Sequence, residues 1–137
     1  MKLDPSAFVA DKELFDALGK RSTAIHCDED RILFRKGEVP SGLYILRSGC
    51  VVLTMTSPSG DLLLSTPVSE GSLLGLPGFV GDRPYSLTAE AQKGSVLGCV
   101  SRADFSDLML TNPALSLKLL AVLAAEVRSA RSAISES

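Results

Sequence analysis

Between about Thr23 and Val100 the chain runs through short apolar segments, most of them ended by a glycine turn, and this rhythm limits its fold more than any other feature. Ile32-Leu33-Phe34 gives way to Lys36-Gly37-Glu38. Leu43-Tyr44-Ile45-Leu46 ends at Ser48-Gly49. Val51 to Met55 ends at Ser57-Pro58-Ser59-Gly60, and Leu62 to Val68 ends at Glu70-Gly71. Ser86 to Ala91 and Val96 to Val100 close the series, with Lys93-Gly94 between them. Short segments at regular spacing with glycine turns read as antiparallel strands of a sandwich or jelly-roll barrel.

The flanks are helical. Asp4-Pro5-Ser6 is a helix start, and Phe8, Leu14, Phe15 and Leu18 recur at helical spacing until Gly19, which predicts a helix over about 7–19. The β-roll is expected over about 23–100. Ser101 caps a short helix expected over about 102–110. Thr111-Asn112-Pro113 then opens a long one, expected over about 113–134 and free of glycine and proline. No linker or repeat interrupts this order. The expected organisation is a single domain over 1–137, mainly β with flanking α.

Charge and cysteine content remove several function classes. A net charge of -2 argues against a broad basic surface for nucleic acid. Three cysteines, Cys27, Cys50 and Cys99, and the lone His26 supply neither a disulfide framework nor a zinc site. No metal, no cofactor and a reducing cytoplasmic setting are expected. The longest apolar stretch, Leu119 to Ala125, is too short to span a bilayer, and Met1 to Pro5 carries no secretory run, so a soluble protein is expected. No catalytic constellation is visible. His26 and Cys27 are neighbours in a strand and point to opposite faces, so they form no local nucleophile–base pair. Asp28-Glu29-Asp30 reads as a solvated acidic turn.

The long helix carries two apolar stripes. Leu115, Leu119 and Val122 would face the barrel. Leu120, Leu123, Val127, Ala130 and Ile134 follow an a/d pattern through its far end. They make either one wide core-facing surface or the seam of a homodimer.

The segment from Ile32 to Leu53, with Gly37-Glu38, Tyr44 and Ser48-Gly49 in order, resembles the cyclic nucleotide-binding domain family, which includes the sensor domains of catabolite-activator-type bacterial regulators. Val100-Ser101-Arg102-Ala103-Asp104-Phe105, leading into Asn112-Pro113, carries the same resemblance to nearly the end of the chain. It implies an antiparallel β-roll, a double-stranded β-helix of jelly-roll type. It also implies a non-enzymatic regulatory domain that signals through its C-terminal helix.

In that family a phosphate-binding cassette opens with Gly-Glu and ends with an arginine followed by small residues. A short helix offers backbone N–H groups to the cyclic phosphate, the arginine neutralises it, and the glutamate accepts from the ribose hydroxyl. Here Gly71, Gly75, Pro84, Ser86 and Thr88 match the frame, but Leu76 stands at the glutamate position and Tyr85 at the arginine position. Each replacement removes a charged hydrogen-bonding partner worth roughly 1.5–3 kcal/mol, so tight binding of cyclic AMP or cyclic GMP is not expected. Arg83 either substitutes for the arginine, projecting to the same side as Tyr85, or is a solvated surface charge. The apolar run through Leu76, Pro77, Phe79 and Val80 leaves three alternatives. The pocket is filled by its own side chains, is recast for an apolar or aromatic ligand, or is a patch that binds a protein partner. The resemblance also assigns base contacts to the region of Ala130 and Arg131, where Arg131 is otherwise a solvated helix charge. Family regulators usually carry a DNA-reading domain after this helix. The chain ends at Ser137, so it is not expected to bind DNA itself unless it is a fragment of such a regulator. Three functions remain: a small-molecule sensor, with a cyclic nucleotide held non-canonically among its candidate ligands, a ligand-free dimerisation or protein-interaction module, and a regulator fragment without its DNA-binding domain.

Overall fold

The computed structural model describes residues 1–136; Ser137, the last residue of the expected domain, lies outside them. The chain begins with one 3₁₀ turn, Pro5–Phe8, followed by α1 (Lys12–Lys20). Six strands come next: β1 (Ser22–His26), β2 (Arg31–Phe34), β3 (Gly42–Ser48), β4 (Val51–Thr56), β5 (Leu62–Val68) and β6 (Leu73–Leu74). A short helix α2 (Leu76–Gly81) separates them from β7 (Thr88–Ala91) and β8 (Val96–Ser101). The helices α3 (Arg102–Thr111) and α4 (Pro113–Glu136) complete the order.

The strands form two antiparallel sheets, β1-β8-β3-β6 and β2-β7-β4-β5. The chain passes back and forth between them, as a β-roll requires. Their registers are fixed by alternation. On β3, Leu43 and Ile45 point to the helices, while Tyr44 and Leu46 point between the sheets. On β6, Leu73 and Leu74 divide in the same way. A slip of one residue would exchange the two faces. The core is therefore double. One half, with Leu14, Leu18, Phe79, Phe105, Leu115 and Leu119, lies under the helices. The other, with Phe8, Phe34, Val51, Leu53, Tyr85 and Leu97, lies between the sheets.

The single N-terminal helix expected over 7–19 is two elements. Val9 is extended and bridges Ser72, and the Ala10 N–H donates to the Gly71 carbonyl at 2.9 Å. Asp11 then starts a new helix, its carboxylate accepting from the Glu13 N–H at 2.9 Å. The same carboxylate meets Lys118 Nζ of α4 at 2.9 Å, which ties the start of α1 to the long helix. A contact far along the sequence thus overrides the local helical periodicity.

Candidate functional site

The cassette is built around α2. Gly75 precedes it with φ 77°, and Asp82 ends it with φ 53°. The Phe79 N–H donates to the Gly75 carbonyl at 3.0 Å, and the Arg83 N–H to the Gly78 carbonyl at 2.9 Å. Arg102, at the start of α3, holds this helix from outside. Its guanidinium carbon stands 4.5 Å from the Phe79 ring centre, and its Nη1 donates to the Phe79 carbonyl at 3.0 Å. Its Nη2 lies 3.6 Å from Asp82 Oδ1.

Leu76 and Tyr85, expected at the positions of the charged pair, point in different directions. Leu76 is fully buried in the helix-side core with Phe79. Tyr85 is buried in the inter-sheet core and stacks on Phe34. Its hydroxyl donates to the Gly42 carbonyl at 3.4 Å. Burial pushes the Tyr85 phenol up to about 12, with the nearby Tyr44, Cys99 and Glu38 adding to the shift. Backbone bonds fix Tyr85 as well: its N–H donates to the Glu38 carbonyl at 2.9 Å, and its carbonyl accepts from the Gly37 N–H at 2.8 Å. Gly75 must be glycine here. A Cβ on it would stand 2.5 Å from Tyr85 Cε1 and 3.2 Å from Phe34 Cζ.

Two adjacent spaces lie beside this stack. The inner cavity, about 30 Å³, is lined by Phe8, Phe34, Gly75, Tyr85, Ser86 and Glu126 among others. The outer furrow, about 310 Å³, runs between α4 and the roll past Leu3, Leu64 and Val127, and shares Phe8, Pro77, Ser86, Leu87 and Glu126 with the inner one. The inner volume has room for a water or two. It is far below the roughly 300–1,000 Å³ of a small-molecule site. No lysine, arginine or histidine lines either space. A cyclic phosphate would meet no cationic side chain there, so these side chains do not fit the group that the cassette implies.

What lines both spaces instead is an acid that the sequence analysis did not single out. Glu126 Oε2 is enclosed and has no hydrogen-bond partner among the described residues. Burial raises the Glu126 carboxyl to about 8. A signal for it does exist in the sequence. Glu126 continues the stripe of Leu115, Leu119 and Val122, at the three- and four-residue spacing that faces the roll.

The other expected site residues are spread out. Gly71 turns the chain at φ 93°, donating to the Leu46 carbonyl and accepting from the Ala10 N–H. Ser86 is exposed at the mouth of both spaces. Thr88 Oγ1 accepts from the Lys36 N–H at 3.0 Å. Arg83 is exposed and lines neither space. Ala130 lines the outer furrow, and Arg131 is exposed. Of the expected seam, Leu120, Val127 and Ile134 are exposed, whereas Leu123 is half-buried against the helix-side core. His26 is exposed on the edge strand β1. Among the described residues, no group of three or more His, Cys, Asp or Glu is placed to hold a metal ion, and no single helix is long and apolar enough to cross a membrane.

Two sheets rolled around a core, a short helix following a glycine turn, and a long helix laid over the opening define a β-roll domain of the kind found in bacterial regulators. The chain belongs to the cyclic nucleotide-binding domain family, whose model matches residues 24–112. Among solved structures, it is similar to the catabolite activator protein of Thermus thermophilus, with 23% identity, a TM-score of 0.80 and coverage of 96% of this chain. The match spans 62% of the Thermus chain. It is also similar to the sensor domain of the transcriptional regulator DNR from Pseudomonas aeruginosa, with 26% identity, a TM-score of 0.68 and coverage of 87% and 85% of the two chains. The N-terminal domain of a transcriptional regulator from Streptomyces coelicolor A3(2) matches with 23% identity, a TM-score of 0.67 and coverage of 96% and 92%. No curated protein matches the sequence at a significant level.

Proposed function

We propose that this chain is a non-enzymatic regulatory sensor domain that reports the state of its furrow through α4 to a second copy of itself, and that its signal is not a cyclic nucleotide. The observation that carries this reading is the double role of α4. One side of the helix closes the furrow with Glu126 and Ala130. Another presents Leu117, Leu120 and Ala124 outward, and this line continues through Val127, Arg131 and Ile134, of which Val127 and Ile134 also line the furrow. Steps of three and four alternate along it, the spacing of a two-helix seam. Leu117 is 70% exposed and Leu120 57%, far more than a core-facing stripe would be. The seam proposed here is thus rotated from the one expected from sequence, since Leu123 turns inward against the helix-side core. A ligand changes such a seam only by differing in affinity between two positions of the helix.

Family membership supports a regulatory role, and the regulators that the chain resembles carry more chain than this domain covers. Three free thiols suit a reducing cytoplasm. A second reading, a ligand-free interaction module, is favoured by the Tyr85–Phe34 stack that fills the space beside the cassette.

Sedimentation velocity over a range of protein concentrations, followed by calorimetric titration with cyclic AMP and cyclic GMP, tests the proposal. The expected result is a concentration-dependent dimer that the double variant Leu117→Lys, Leu120→Lys converts to a folded monomer, with no saturable heat from either nucleotide at millimolar concentration. A chain that stays monomeric at high concentration contradicts the seam. Saturable one-per-chain nucleotide binding contradicts the ligand assignment.

A further inference from the structure

We propose that the furrow between α4 and the cassette takes a small amphiphilic cation, an apolar body ending in a primary ammonium, with Glu126 as the group that pairs with the ammonium. This deepens the sensor reading, and it rests on that reading only for the consequence of binding.

Three observations converge. First, Glu126 Oε2 is enclosed and unpartnered among the described residues. Buried polar atoms in folded proteins nearly always have a partner, so an enclosed acceptor beside open space marks a place for a donor. Second, the backbone that carries the acid is fixed. Glu126 lies on the roll-facing stripe of α4, between the buried Val122 and Ser129, so α4 cannot rotate it away from the roll without withdrawing those residues. Third, the furrow beside it is apolar, with Leu3, Phe8, Leu64 and Leu87 along its length, and no lysine, arginine or histidine lines it.

Charge then selects the ligand. An anion meets a carboxyl and no lysine, arginine or histidine side chain. A purely apolar molecule fills the furrow but leaves Glu126 unmet. An ammonium on an apolar chain satisfies both, and hydrogen bonds between charged partners are the stronger kind. Because burial raises the Glu126 carboxyl to about 8, the acid is mostly protonated at neutral pH before the ligand arrives. Pairing with an ammonium favours the ionised form, so the proton passes from Glu126 to the buffer. Tyr85 is the other titratable side chain lining these spaces, and burial raises its phenol to about 12, so it keeps its proton at neutral pH; Met1, which carries the N-terminal amino group, also lines the furrow.

The test uses three probes of equal chain length on the whole 137-residue chain: octylamine, 1-octanol and octanoate. Titration calorimetry at pH 7 is expected to show octylamine binding once per chain, at least about tenfold tighter than octanol, with octanoate the weakest. Repeating the octylamine titration in two buffers of different ionisation heat is expected to show proton release, a readout that needs no variant. In Glu126→Gln, octanol affinity should persist, and the preference for the amine should fall to within about threefold. Equal binding of amine and alcohol overturns the proposal, as does absence of saturable amine binding at millimolar concentration. An amine preference that survives in Glu126→Gln also overturns it. If octylamine binds as expected but leaves self-association unchanged, the ligand site stands and the sensor reading fails. A dimer without amine binding overturns the ligand site and leaves only the dimer seam standing.

Discussion

The ring of Tyr85 lies on that of Phe34 with centroids 3.8 Å apart and planes inclined by 16°. Phe34 ends β2, and Tyr85 follows α2, so the stack fastens the cassette to the sheet. The residue expected from sequence to stand at a phosphate-binding position is thus part of the inter-sheet core.

Tyr85→Ala should lower stability by about 3–5 kcal/mol, the cost of removing a buried aromatic side chain. Tyr85→Phe should cost about 1 kcal/mol or less, because its one side-chain hydrogen bond is long at 3.4 Å. Urea unfolding followed by circular dichroism separates the two. Similar losses in both variants would mean that the hydroxyl, not the ring, holds the cassette.

Gly75 and Gly60 both have positive φ, but only Gly75 has a neighbour in the way. Gly60→Ala should cost about 1 kcal/mol for backbone strain alone. Gly75→Ala should cost roughly 1–3 kcal/mol more, because the methyl overlaps the edge of the Tyr85 ring. Combining Gly75→Ala with Tyr85→Ala should recover most of that difference, since the obstructing ring is gone. Strictly additive losses in the double variant would contradict the contact.

The β-roll was legible because its cause is local and repeated: alternating apolar residues, with glycines where the chain must reverse. The cut between the 3₁₀ turn and α1 was hidden. Val9 is extended by pairing with Ser72, a partner far along the chain, although the capping role of Asp11 is a purely local signal. The position of Leu76 could not be read from its cassette match, because whether a residue faces a pocket or a core depends on which side of α2 it occupies. Glu126 was overlooked for the opposite reason. Its helical phase with Leu119 and Val122 was visible, but the enclosure that makes an acid there unusual comes from the roll and the N-terminal segment.

Glu126 should leave a mark on the pH dependence of stability. Its carboxyl titrates near 4.5 in the unfolded chain and near 8 in the folded one. Between these values the folded state holds a proton that the unfolded state has lost, so this group makes stability fall as pH rises from about 4.5 to 8 and level off above. Asp11, held low chiefly by its hydrogen bond from Lys118, acts in the opposite sense: its contribution is present above the ordinary aspartate range and is lost on acidification below it. Glu126→Gln should flatten the neutral limb and be more stable than the parent at pH 8, by on the order of 3 kcal/mol. Chemical denaturation at several pH values checks this. Parallel curves for parent and variant would show that Glu126 is ionised throughout.

Arg102→Met keeps the length and apolar stem of the side chain but loses its charge and its donors to α2. The expected loss of stability is about 1 kcal/mol, with faster hydrogen exchange at the Phe79 and Arg83 amides and none at β8. Unchanged exchange in α2 would show that the cassette is held by its buried side chains alone.

The first residues of the chain lie across the furrow. The Asp4 N–H donates to Ser129 Oγ of α4 at 2.7 Å, and Met1, Leu3 and Phe8 supply one bank of the space. This segment is a strap, and what crosses it decides how deep the furrow is. Any peptide fused ahead of Met1 begins at the rim of the site, within reach of the space meant for a guest. Binding measurements on a tagged and an untagged chain would then concern two different vestibules, and a weak apolar ligand could be displaced by the tag before it is ever detected.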